Sequence, residues 1–259
     1  MTSDRRVALA TAGAVTIAAW AYTIRSAGAM SGAMPMPGGW SMSMAWMPMG
    51  DQTAVARATM FLVMWTVMMV AMMLPSVMPV VLLHRRLIDS RRTRGEAAAG
   101  SNLLLLAGYF GTWTGFGAVA YVLGIAITGA AMRYAPLSRA IPAASGLTLA
   151  AAGVYQLTGW KQACLAHCRS PLEFFSHHPI RRAGDSLMFG IHHGAYCAAC
   201  CWALMAIQLV LGVMSVPLMA AVALVILLEK AWTYGRALAV AAGIAAIAGG
   251  AVLLLRSVY

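Results

Sequence analysis

All five cysteines of this chain fall within 38 residues, from Cys164 to Cys201, and none precedes them. Two lie in Lys161-Gln162-Ala163-Cys164-Leu165-Ala166-His167-Cys168-Arg169, and three in His192-His193-Gly194-Ala195-Tyr196-Cys197-Ala198-Ala199-Cys200-Cys201-Trp202. At about 100° per residue, His193, Cys197, Cys200 and Cys201 share an arc of about 100° on one helix face. Cys164, His167 and Cys168 share a comparable arc on another. If the two faces meet, up to five thiols and two imidazoles converge. Zinc takes such donors in tetrahedral geometry, and Cu(I) takes thiolates at low coordination number. Free cysteine behaving as a small buried hydrophobe accounts for one or two of these residues, but not for their confinement. Cys197 and Cys200 also have Cys-x-x-Cys spacing, without the strand-and-helix context of a thioredoxin-like redox site. Glu229, followed at once by Lys230, reads either as an interfacial ion pair or as a carboxylate that orients a histidine ligand. His177 and His178 read as solvent-exposed, and His84, beside Arg85 and Arg86, as interfacial.

Thioethers make a second soft-donor set. Met34, Met36, Met42, Met44, Met47 and Met49 form three Met-x-Met pairs in a stretch otherwise rich in Gly, Pro and Ser. The stretch 25–56 reads as a flexible external loop with no run that folds alone. Thioether sulfur favours Cu(I) over hard ions, and it stays ligating in an oxidising compartment where thiols are lost to disulfides. The competing reading has these side chains, with Trp40 and Trp46, dipping into lipid headgroups. Further on, Met60, Met64, Met68 and Met72 recur every four residues, which keeps them on one slowly drifting helical stripe. Met64, Met68 and Met72 are candidates for an ion path, against the alternative that they are packing.

The elements that must carry these residues are membrane helices. Hydrophobic residues make up 61% of the 259 positions, charged residues 10%, and the mean hydropathy is +0.78; a soluble domain has about a quarter of its residues charged. Apolar runs near the ~20 residues that cross a bilayer are expected at 7–24, 57–83, 102–127, 142–161, 189–213, 217–232 and 237–255. Without period-two alternation they must be helices, so the fold class is an all-α polytopic transmembrane bundle in a single domain, 1–259. It has seven spans, or six if the first is a cleaved signal. Pro75 and Pro79 should kink the second span or end it early, and Gly111 and Gly115 have the spacing of close helix packing.

Seven spans put thirteen of the 18 Lys and Arg on the side of the N-terminus, among them Arg5, Arg6, Arg85, Arg86, Arg91, Arg92, Arg94, Lys161, Arg169, Arg181 and Arg182. This matches a cytoplasmic N-terminus in a bacterial inner membrane. The net charge of +11 therefore reports topology. It does not indicate nucleic acid, because the basic loops carry no interleaved aromatics.

Three stretches resemble a known family. They are Ala71-Met72-Met73-Leu74-Pro75-Ser76; Gly153-Val154-Tyr155-Gln156-Leu157-Thr158 with Lys161, Cys164, Cys168-Arg169 and Pro171; and Gly190 through Cys200-Cys201-Trp202 with the later Glu229. The family is a group of bacterial integral membrane proteins, a domain of unknown function predicted to bind metal. The resemblance covers most of residues 55–235, excludes the methionine-rich loop, and departs at Ala199, where members often have Gly. It implies metal binding in the membrane and supplies no reaction.

The combined expectation is a soft-metal protein, most simply for Cu(I), with zinc the alternative. The methionines would capture the ion, and Cys164, His167, Cys168, His193, Cys197, Cys200 and Cys201 would receive it. A metallochaperone or partner metalloenzyme would exchange it. No phosphate-binding Gly-Lys-Ser/Thr loop suggests an ATP-driven pump. The other functional classes are a membrane oxidoreductase working through the same thiols and an accessory subunit that loads metal into an enzyme.

Overall fold

Lipid offers no partner to backbone polar groups, so apolar runs of this length close their hydrogen bonds internally. In the computed structural model, which describes residues 3–30, 32–47, 52–92, 101–169 and 182–258, they do so as helices. These are α1 (Ser3–Ala29), α2 (Ala54–Arg92), α3 (Ser101–Arg133), α4 (Ala135–Leu157), α5 (Gly159–Arg169), α6 (Ala183–Gly212), α7 (Val216–Ala231) and α8 (Gly235–Val258). All but α5 and α7 are long and apolar enough to cross a membrane. The expected sixth span is α7, whose 16 residues reach only about 24 Å at 1.5 Å per residue.

The helices alternate in direction between two ends of the bundle. Phe61 of α2 meets Tyr121 of α3 while Thr66 meets Thr114, so these two run antiparallel. Gly146 and Gly153 of α4 abut Gly250 and Gly243 of α8 in the same sense. A Cβ on Gly153 would lie 2.5 Å from the Gly243 carbonyl oxygen, so this pair packs backbone to backbone. Gly108 and Gly190 bring α3 and α6 equally close. Gly111 and Gly115 do not take part: a side chain there would meet nothing within 4 Å. The packed face of α3 is set by Leu105, Tyr109, Trp113 and Ala120, all buried, and the two glycines lie on its far side.

About half of the apolar stretches of α2 and α6 are buried, 56% and 50%, against 11–28% for the other long helices. These two form the interior, and they carry the methionine stripe and three of the cysteines. Outward-facing Leu103, Val119, Val122, Leu147 and Leu255 leave an apolar perimeter, the surface that lipid would cover.

Three local details differ from expectation. Pro75 and Pro79 do not end α2, which continues to Arg92; beside them the Ser76 hydroxyl donates to the Met73 carbonyl at 2.9 Å. The fourth span begins at Ala135 and stops at Leu157 rather than running 142–161. There Thr158 turns extended, its hydroxyl donates to the Tyr155 carbonyl and accepts from the Lys161 amide, and so it opens α5 as an N-cap. The methionine-rich loop holds a two-stranded antiparallel hairpin, β1 (Ala33–Met36) and β2 (Trp40–Ser43). Pro37 and Gly38 make its turn, with Gly38 at φ +101° and the Gly39 amide donating to the Met36 carbonyl at 3.2 Å, as a type II turn requires. Trp40 Nε1 donates to the Ser138 carbonyl, and the Ser138 hydroxyl donates to the Pro37 carbonyl at 2.7 Å, fastening the hairpin to the start of α4. A run unable to fold alone is ordered here by the helix ends beneath it.

Candidate metal centre

On α6, positions i, i+3 and i+4 project Cys197, Cys200 and Cys201 to one side of the helix. All three thiols are buried, and their sulfurs lie within 4.8 Å of one another. Cys200 Sγ is 3.3 Å from Cys201 Sγ and 3.8 Å from Cys168 Sγ on α5. The two helices expected to converge do so, through four of the five cysteines.

Polar groups from four further places press on the trio. Tyr109 of α3 sets its hydroxyl 3.0 Å from Cys197 Sγ, and Lys230 of α7 sets its ammonium at the same distance. That ammonium also lies 3.4 Å from the Ser76 hydroxyl of α2. Beside it, Lys161 and Glu229 form an ion pair of 2.6 Å with both side chains buried, and Gln156 Nε2 donates to the same carboxylate at 3.1 Å. Glu229 therefore balances a lysine on α5 instead of its neighbour Lys230, which leaves Lys230 facing the thiols. The Tyr155 hydroxyl, donating to the Ala199 carbonyl at 2.6 Å, ties the end of α4 to the cysteine turn.

The remaining expected ligands stand at the edges of this cluster. The phase of α5 is set by buried Lys161, Leu165 and Cys168. At 100° per residue that leaves Cys164 about 60° and His167 about 120° off the Lys161 direction. Cys164 is half-buried and His167 exposed, its ring stacked on Tyr196 at 4.6 Å and its Nδ1 3.0 Å from the Ala163 carbonyl. His193 lies on the cysteine face of α6 one turn earlier, buried, stacked between Phe189 and Tyr109; its nitrogens are outside the thiol group. His84 is buried rather than interfacial, with Asn102 Oδ1 2.6 Å from Nδ1 and Ser186 Oγ 3.1 Å from Nε2. His177, His178 and Met49 lie outside the described residues.

The thioethers form two groups. In the hairpin, Met34 pairs with Met42 across the strands and Met36 with Trp40, so Met34, Met36 and Met42 share one face. Met34 is exposed and Met42 buried; Met44 packs over Gly32, and Met47 follows the short 3₁₀ turn. In α2, Met64, Met68 and Met72 are buried while Met60 is exposed. The stripe runs down the interior toward Ser76, which touches Lys230 at the thiol cluster.

Lys230, Tyr109 and Ser76 were not among the expected site residues. Ser76 closes the first stretch of the family resemblance, and a lysine in an apolar run is a signal for Lys230 that the neighbouring Glu229 masked.

A family model described as PpoB2, copper chaperone, matches residues 62–253. The match runs from within α2 to the last turns of α8, takes in all five cysteines, and starts after the hairpin. The description names copper where the sequence resemblance supplied only an unspecified metal. No curated protein and no solved structure matches the chain.

Proposed function

Since this chain belongs to the PpoB2 copper chaperone family, we propose that it carries Cu(I) as cargo through a membrane, holding the ion on Cys197, Cys200 and Cys201. The observation that carries this reading is the trio itself, three buried sulfurs within 4.8 Å of one another on a single helix turn. Cys168, 3.8 Å from Cys200, is the donor placed to complete or release the site.

Charge explains why such a site would act as a sink. Thioethers are neutral, so Cu(I) on Met64, Met68 or Met72 keeps its full charge in an interior where unpaired charge is costly. At the trio, thiols bind metal as thiolates and give up protons. Two thiolates, one Cu(I) and the Lys230 ammonium sum to zero. The Lys161–Glu229 pair is already neutral. An ion passed from thioethers to thiolates therefore moves downhill without ATP. In the orientation favoured by the basic loops, the N-terminus and the thiol end face the cytoplasm of a bacterial inner membrane and the hairpin faces outward. The hairpin methionines Met34, Met36, Met42, Met44 and Met47 would then collect the ion, and a metalloenzyme or soluble metallochaperone would receive it.

The test is anaerobic Cu(I) titration against a chromophoric chelator. Wild-type protein should take one tightly held ion, and Cys197→Ser/Cys200→Ser/Cys201→Ser should lose it while still inserting in membranes. Equal affinity in the two proteins would reject the assignment.

A further inference from the structure

Gln208 is a buried polar residue apart from the thiol cluster. It lies on α6, 1% exposed, and its carboxamide makes one hydrogen bond, from Nε2 to Met68 Sδ of α2 at 3.7 Å. A thioether is a weak acceptor. The other end, Oε1, is buried without a hydrogen-bond partner among the described residues. A buried amide left without partners costs about 1–3 kcal/mol by protein mutational data. Leucine or methionine would fill the same space without that cost, so packing alone does not account for glutamine here.

Met205, one turn earlier on α6, and Met219, on α7, are both fully buried. The turn joining α6 to α7 is closed by the Ser215 amide donating to the Gly212 carbonyl. Met64 and Met72 flank Met68 on α2 and are buried as well. The same face of α6 carries Cys201 seven residues before Gln208, about 10 Å along the axis. Met205 and Met72 occupy the levels between them.

From this arrangement, and resting on the Cu(I) reading above, we infer that Gln208 Oε1 and Met68 Sδ form a second, weaker Cu(I) station in the middle of the bundle, occupied before the thiols. Rotation of the carboxamide about its broad, two-fold terminal torsion turns Oε1 toward Met68. The ion then replaces the N–H···S contact with one oxygen and one sulfur donor. A station of carbonyl and thioethers binds soft cations less tightly than thiolates do, so the ion moves on to Cys201. The carbonyl gives the unneutralised cation a dipole that an aliphatic side chain would not.

The experiment uses the full chain with all five cysteines replaced by serine, titrated anaerobically with Cu(I) against a weak chelator. One residual ion per chain should remain, with sulfur and oxygen in its X-ray absorption spectrum. Gln208→Leu or Met68→Leu in that background should weaken it by about 100-fold, the upper end of what losing a supporting group costs at metal sites. Gln208→Met, which keeps a soft donor, should retain it. In the cysteine-containing protein in proteoliposomes, Gln208→Leu should slow filling of the thiol site from the hairpin side. The station is overturned if the cysteine-free protein holds no Cu(I), or if Gln208→Leu and Gln208→Met bind alike. Either result beside a wild-type protein that fills normally condemns the station alone. A wild-type protein that takes up no Cu(I) condemns the thiol site and the station together.

Discussion

At the scale of single residues, the account turns on Lys230. Its ammonium lies 3.0 Å from Cys197 Sγ, where a cation offsets thiolate charge directly. Lys230→Met should therefore reduce Cu(I) affinity by about 10–100-fold, as loss of a ligand's hydrogen-bonding partner does at other metal sites. Tyr109→Phe, which removes a neutral hydroxyl from beside the same sulfur, should cost less; chelator competition on both variants gives the order. The neighbouring Lys161–Glu229 pair makes a different prediction. Removing one partner of a buried ion pair costs about 3–5 kcal/mol, and replacing both by apolar residues is often neutral. Lys161→Met should lower the unfolding temperature sharply, and Lys161→Met/Glu229→Leu should recover most of it. Which lysine takes Glu229 was not legible in the sequence, because Glu229-Lys230 reads as a self-contained pair. Only the approach of α5 shows that the acid faces Lys161 and the base faces the thiols.

At the scale of elements, helical phase made much of the site readable. Three cysteines at i, i+3 and i+4 must share a face of any helix, and in α6 they do. The α5 set was half legible. Cys168 reaches the cluster while His167 does not, because the burial of Lys161 and Leu165 fixes the helix rotation, and spacing within the segment carries no such information. Glycine spacing misled for the same reason: Gly111 and Gly115 form a small-xxx-small pair on a face that meets nothing. Their substitution supplies a contrast. Gly153→Ala puts a Cβ against the Gly243 carbonyl and should destabilise the α4–α8 pair by about 1–3 kcal/mol, the usual cost of overpacking. Gly111→Ala, in open space, should be neutral or stabilise by about 0.5–1 kcal/mol through helix propensity. Thermal unfolding in one detergent reads both. The hairpin was the least legible element, since its order comes from Ser138 and Trp40 across a separation of 98 residues. If its thioethers collect the ion, Met34→Leu/Met36→Leu/Met42→Leu should raise the free Cu(I) needed to fill the protein in proteoliposomes by about tenfold, or 1.4 kcal/mol.

At the scale of the whole molecule, hydropathy alone gave the all-α bundle and its alternating path. Chain alternation puts the N-terminus, the ends of α4 and α7 and the thiol cluster at one end, with the hairpin at the other. The buried α2–α6 pair joins the two ends through Met64, Met68, Met72, Gln208 and Met205. Hydropathy could not show that this join is lined with sulfur, because a methionine stripe facing lipid and one facing the interior have the same sequence period. The family match begins within α2 and takes in the thiol cluster and the stripe from Met64 onward, and the hairpin lies outside it. The central claim is that the buried trio holds copper. Its most direct test is elemental mass spectrometry of protein purified anaerobically from copper-supplemented cells, beside the Cys197→Ser/Cys200→Ser/Cys201→Ser variant. After washing with a chelator that competes with thioethers but not with thiolates, and so empties the Gln208–Met68 station, the account predicts one copper per wild-type chain and none in the variant. Zinc in the wild type, or copper that survives both that wash and the loss of all three thiols, would contradict it.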